Sequence, residues 1–210
     1  MIALASARIG LLLPIRACRL APGSNRMFKV KKKPKITSAE FELQVKKFLE
    51  STSGKLEEFK TEHLESIEGT DGTYEIDITV RFRAFGAKFL VLVECKHHKN
   101  RIMRDYVQVL HAKQVSLGAQ KAMMFSTSGF NEGAVNYALQ HGIALIQLAS
   151  GETLYFTKGG NPTPLPDSLP AYVGWLIAKH DRATDGVSHS LIAPGHPDAL
   201  NKFLFDSSPR

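Results

Sequence analysis

The sequence predicts an α/β protein built on a central mixed sheet with helices on both faces. Three observations carry this expectation. Residues 74–82 alternate, with Ile76, Ile78, Val80 and Phe82 separated by polar partners, which is the period of a half-buried strand. Residues 89–93 form an unbroken apolar run rich in Val and Leu, as a central buried strand does. Farther along, mostly apolar segments at 121–125 and 143–148 read as strands interleaved with helical periods.

Taken in order, Thr37 followed three residues later by Glu40 makes a capping box, and Phe41, Val45, Phe48 and Leu49 supply the helical spacing. The first helix therefore starts near Ser38. Residues 55–65 read as a strand, and Gly69-Thr70-Asp71-Gly72 turns the chain into the alternating strand. Residues 83–88, with Gly86, suffice for one tight connection, making the next two strands antiparallel neighbours. Val107, Leu110, Val115 and Leu117 then suggest a helix ending before Gly118. The strand at 121–125 exits through Ser126-Thr127-Ser128-Gly129 to Asn131, an expected N-cap, and the helix carrying Ala134, Val135, Ala138 and Leu139 stops at Gly142. Pro162, Pro164, Pro166 and Pro170 mark a linker-like stretch. The apolar segment 171–178, with Trp175, is expected to pack back onto the core, and residues beyond Asp181 read as polar or irregular.

Charged side chains stand where the strand pattern wants none. Glu94 and Lys96 end the apolar run and, two residues apart, project to one face while Cys95 projects to the other. The tight connection lets Asp77 come beside Glu94. Two carboxylates at one spot repel and raise one pKa unless a cation joins them, and hard oxygen ligands suit Mg²⁺. A lysine beside such a metal can help deprotonate an attacking water or stabilise charge on a phosphate. The plainer alternative is an edge-strand aspartate and a solvated Glu–Lys pair.

The wider pattern around these clusters strengthens the chemical reading. Residues 74–77 (Tyr-Glu-Ile-Asp), 93–96 (Val-Glu-Cys-Lys) and 119–130 resemble the Mrr-like branch of the PD-(D/E)xK restriction endonuclease superfamily, over about 37–156. The resemblance implies an αβββαβ core and metal-dependent DNA cleavage. It also implies metal ligands at Asp77 and Glu94, with the Cys95 carbonyl as a third, and Lys96 as the catalytic lysine. Glu42 matches the family's first-helix glutamate and Gln108 its helix glutamine, with Gln114 as a weaker rival. The proline usual before the first aspartate is replaced by Ile76. The structural alternatives are a Glu42–Lys46 pair within the helix and a surface amide at Gln108.

Composition bounds the rest. The chain has 210 residues and a formal charge of +7, and four arginines before residue 27 leave +3 on the remainder. Lys31, Lys32 and Lys33, with Lys29 and Lys35, suit phosphate contact or a solvated tail. Ser126, Ser128 and the backbone amides near Asn131 could hold a phosphate, or simply make a turn. His98 shares the parity of Glu94 and Lys96 and could touch a phosphate or water. Two cysteines, Cys18 and Cys95, make no disulfide framework and no zinc pair, which suits the cytoplasm. Cys95 reads as a small core residue rather than a nucleophile. The uncharged run at 9–15 is far short of the ~20 residues a membrane span needs, and we expect translation to start at Met27.

The resulting expectation has three parts: a leader and basic arm without fixed structure at 1–36, a nuclease domain at 37–157, and a proline-rich linker with a C-terminal extension at 158–210. The activity expected is Mg²⁺-dependent DNA endonuclease of restriction type, acting with DNA as partner and a homodimer as an open arrangement. A catalytically silent nucleic-acid-binding module, and a repair nuclease or junction resolvase, are the alternatives.

Overall fold

The computed structural model describes residues 36–52, 56–150, 172–179, 187–194 and 198–205. Lys31, Lys32, Lys33, the expected start at Met27 and the proline-rich stretch lie outside the described residues. Helix α1, Ser38–Thr52, opens with the expected box: the Thr37 amide donates to Glu40 Oε2 at 2.7 Å and the Glu40 amide to Thr37 Oγ1 at 3.2 Å. Phe41, Val45, Phe48 and Leu49 form its buried stripe.

Strands β1, Glu57–Glu68, β2, Thr73–Ala84, and β3, Ala87–Lys96, form an antiparallel meander. Only Phe85 and Gly86 join β2 to β3, both at positive φ, 52° and 79°, the geometry of a tight primed turn. Helix α2, Arg104–Ser116, then crosses over to β4, Lys121–Ser126, which lies parallel to β3. Helix α3, Glu132–His141, repeats the crossover to β5, Ile143–Ser150, parallel to β4. Asn131 caps α3 by accepting the Ala134 amide at 2.7 Å, and Gly142, at φ 62°, ends it.

Among the described residues beyond Asp181 are a strand and a helix that the sequence does not suggest. The segment expected to pack back onto the core does so as strand β6, Tyr172–Lys179, antiparallel to β5; β7, Val187–Ile192, extends the sheet further and α4, Asp198–Phe205, follows it. Leu200 and Leu204 of α4 are buried in the same core as Phe41, Phe48 and Phe125. Among the described residues, β1 to β7 form one sheet in sequence order. The polar residues misled because a sheet margin needs only one apolar face.

The two faces carry separate cores. Phe41, Val45, Phe48, Ile78, Val80, Phe82, Val91, Val93 and Cys95 pack under α1 and α4. Ile76, Leu92, Ile102, Val107, Leu110 and Phe130 pack under α2 and α3. Ile76 and Ile78 should share a face in a regular strand, yet they enter different cores. The twist falls on Asp77. Opposite it in β1 the pairing skips from His63↔Ile78 to Glu65↔Ile76, and the skipped Leu64 sits at φ 53°, a left-handed conformation costly for a side chain of that kind.

Candidate active site

The β2–β3 ladder runs from Ala84↔Ala87 to Ile78↔Val93 and there stops, so Asp77 and Glu94 stand opposite each other just past the last pair. Asp77 turns into the gap. Its Oδ2 accepts the Cys95 amide at 2.7 Å, replacing the missing backbone bond with a side-chain one. Lys96 presents its carbonyl to the Thr127 amide, on the β4 side. Because consecutive residues direct their backbone groups to opposite edges, the Cys95 carbonyl faces the β2 side, toward Asp77.

Four charged groups converge on this point from both faces of the sheet. Glu94 and Lys96 share the α2 side with Leu92, and Lys96 Nζ lies 2.6 Å from Glu94 Oε1. Lys113, from α2, reaches Glu94 Oε2 at 3.1 Å and the Glu75 carbonyl at 3.4 Å. From the α1 side, Glu42 holds His63 Nε2 at 2.9 Å through Oε2, and its charge adds to the negative field on Asp77. The expected alternative for Glu42, a pair with Lys46, is not formed, since Lys46 lies toward Glu50 at 4.0 Å.

The electrostatics follow from this crowding. Burial and the neighbouring Glu94 carboxylate push Asp77 up to about 6, against the opposing pull of the Cys95 amide and Lys96. Burial would lower the Lys96 ammonium, but the Glu94 carboxylate and its hydrogen bond override this and raise it, so Lys96 is a charged donor. The Cys95 thiol, buried among these carboxylates, is held well above its ordinary value, which leaves it protonated and unsuited to nucleophilic attack.

The other expected site residues fare unevenly. His97 and His98 diverge as anticipated: His97 packs on Phe41 and His98 makes an edge contact with Tyr106, ring centroids 5.9 and 5.3 Å apart. Gln108 is exposed on α2, roughly half a turn at 100° per residue from Tyr106. The helix instead offers Tyr106 and Lys113, seven residues apart, to the site, with Lys96 Nζ 5.9 Å from the Tyr106 ring. Gln114 turns inward and donates to the Ala119 carbonyl at 3.3 Å. Ser126 and Ser128 are engaged within the protein: Ser126 is fully buried, its Oγ accepts the Ser128 amide at 3.1 Å, and Ser128 Oγ donates to the Asn100 carbonyl at 2.6 Å. Their hydroxyls are consumed in locking two loops together.

Lys113 and His63 escaped the sequence reading. Lys113 lies in a helix whose apolar residues mark two faces at once, since Val109 and Val115 are 57% and 68% exposed. His63 sits in a strand of alternating charges with no apolar parity to orient it.

The restriction endonuclease family model Mrr_cat matches residues 34–155, which is more than half of the chain and takes in α1 through β5. The chain belongs to that family. Membership in this Mrr-type catalytic family supports a DNA nuclease, and Asp77, Glu94 and Lys96 all fall inside the matched span. A search of curated proteins finds no match. A solved structure, the crystal structure of a protein of unknown function, AF1548, aligns at 21% identity and a TM-score of 0.42, over 51% of this chain and 56% of that one. The Mrr-type chain thus spans about half the length of that structure. No described helix is long and apolar enough to cross a membrane.

Whether the Mrr-type site suits a divalent cation can be judged from its donors. Asp77 and Glu94 provide hard carboxylate oxygens, and burial with the neighbouring Glu94 carboxylate raises Asp77 while no cation joins the two. Both Glu94 oxygens are turned to lysines, and among the described residues no three His, Cys, Asp or Glu side chains are drawn close enough to hold an ion. The donor chemistry fits a cation that displaces a lysine.

Proposed function

We propose that this chain is a Mg²⁺-dependent endonuclease that hydrolyses phosphodiester bonds in DNA, of the restriction type. The observation that carries the reading is the meeting of Asp77, Glu94 and Lys96 where β2 and β3 part, inside the span that matches the restriction endonuclease family. Asp77, Glu94 and the Cys95 carbonyl would hold the metal. When bound, it would supply Lewis acidity and a more acidic water.

The chain's own groups do the remainder. Lys96, kept charged by Glu94, donates toward the developing charge on the phosphate. Glu42, fixed by His63, stands where it can orient the attacking water from the α1 side. The Cys95 amide fixes the direction of Asp77. The position is largely covered, with Glu94 10% exposed, but Lys96 keeps 21% of its side chain open to a backbone phosphate.

DNA contact would fall to the segment that leaves β3. Lys99, Asn100, Arg101 and Arg104 are exposed, while the fully buried Ile102 bridges Phe130, donating to the Gly129 carbonyl at 3.0 Å and accepting the Asn131 amide at 2.9 Å. Cations on a pinned loop beside Lys96 suit sequence-independent phosphate contact. The basic residues 31–33 would add to it.

The test is incubation with plasmid, methylated plasmid, branched DNA and RNA in Mg²⁺, with Asp77→Asn and Glu94→Gln as controls. Cleavage of DNA by the wild type alone supports the reading. DNA binding without cleavage under any condition would favour the silent binding module, and preference for branched DNA would favour a repair nuclease or junction resolvase.

A further inference from the structure

Glu94 is held at both ends by lysines from different elements: Lys96 of β3 on Oε1 at 2.6 Å and Lys113 of α2 on Oε2 at 3.1 Å. All three side chains are largely covered, at 10% exposure for Glu94, 21% for Lys96 and 17% for Lys113. We propose that Lys113 is a positioning residue that latches Glu94 while no metal is bound, so that the centre takes up a divalent cation and a DNA phosphate together rather than one after the other. The inference rests on the nuclease reading and deepens it.

The argument is charge balance in a covered place. Glu94 is shared by Lys96 and Lys113, Lys96 also acts on Asp77, and Glu42, paired with His63, adds the weakest of the charges acting on Asp77. With Asp77 ionised, the charges of Asp77, Glu94, Lys96 and Lys113 cancel, and Glu42 is compensated through its contact with His63 only when that imidazole is protonated. Imbalance is costly where water is scarce. For Glu94 Oε2 to ligate a cation, Lys113 has to give up its 3.1 Å contact. A divalent ion would then share the pocket with two ammonium groups, and that repulsion opposes its entry. A phosphodiester brings the missing negative charge and gives the displaced lysine a new partner. The second anchor of Lys113, the Glu75 carbonyl at 3.4 Å, is neutral and long, so it adds little hold once Glu94 turns away.

The latch is tested by titrating Mn²⁺ into the full-length wild type, Lys113→Met and Lys113→Arg by calorimetry, alone and with a cleavage-resistant phosphorothioate duplex. The duplex should tighten Mn²⁺ binding to the wild type. Without DNA, Lys113→Met should bind Mn²⁺ roughly tenfold more tightly, the scale of one charge-assisted hydrogen bond to a carboxylate, and should gain less from the duplex. Lys113→Arg keeps the cation and should stay close to wild type. Should Lys113→Met not fold, Lys113→Gln replaces it, since the amide can still donate to Glu94 while carrying no charge. Mn²⁺ binding by the neutral variants that is equal to or weaker than wild type would overturn the latch alone. Absence of Mn²⁺ binding to the wild type even with DNA would overturn the metal-dependent reading and the latch with it.

Discussion

Asp77 accepts the Cys95 amide at 2.7 Å and so completes, with a side chain, the hydrogen bonding that the β2–β3 ladder abandons at Ile78 and Val93. One carboxylate is thereby asked both to hold a hairpin end together and to stand among other charges. Replacing it by alanine would leave a covered N–H unpaired, at about 1–3 kcal/mol, and would confuse lost chemistry with lost structure. Asparagine keeps the acceptor.

Asp77→Asn is therefore expected to abolish cleavage while preserving the fold, as is Glu94→Gln. Circular dichroism and single-turnover assays check both. Cleavage at wild-type rate by both variants would remove these residues from the reaction.

The raised Asp77 carboxyl gives a pH signature. Its folded value of about 6 lies above the ordinary 3.8, so the folded state binds the proton more tightly than the unfolded chain. The stability tied to that proton is fully present below about pH 3.8 and is lost as pH rises through 6. The cost at neutral pH is at most about 3 kcal/mol, less after solvent screening of a partly exposed group. In EDTA, Asp77→Asn should be more stable than wild type at pH 7.5 and lose that advantage by pH 4. Melts at the two pH values check this, and an equal gap at both would contradict it.

Lys96→Met should lower the single-turnover rate by roughly 10²–10³-fold, the scale for one transition-state donor, with DNA affinity little changed. Loss of affinity with a normal saturated rate would make Lys96 a plain phosphate contact.

Glu42→Gln and His63→Ala should each give a partial loss of rate, and the double variant should lose little more than the worse single one, because the two act as a unit. Rates that multiply would show that His63 does not act through Glu42.

Neutralising Lys99 and Arg101 together should reduce the slope of log affinity against log salt by about 1.8, at about 0.9 per phosphate contact, and weaken binding evenly across sequences. An unchanged slope would place the DNA elsewhere.

The site's centre was legible because strand parity is rigid: once residues 89–93 are read as a buried strand, Glu94 and Lys96 must share a face, and the short connection brings Asp77 opposite. Lys113 was hidden because α2 exposes Val109 and Val115, so apolar spacing does not reveal which side meets the sheet. Ser126 and Ser128 looked available because a sequence shows hydroxyls but not the partners that occupy them. Strand β7 and helix α4 were missed for want of length, since six and eight residues carry too few repeats to declare a period. Leu200 and Leu204 belong to the main core nonetheless, and Leu204→Ala should cost about 2–5 kcal/mol of stability.

The chain's single tryptophan, Trp175, lies on β6, paired with Gln147 of β5 on one side and Leu191 of β7 on the other. Its emission therefore watches the seam where the late strands join the α1–β5 unit that carries the charged centre. Strands that peel from that seam early would change the fluorescence before the backbone ellipticity, and a sheet that melts as one would change both at the same denaturant concentration. The protein carries its own optical gauge of whether seven strands behave as a single cooperative body.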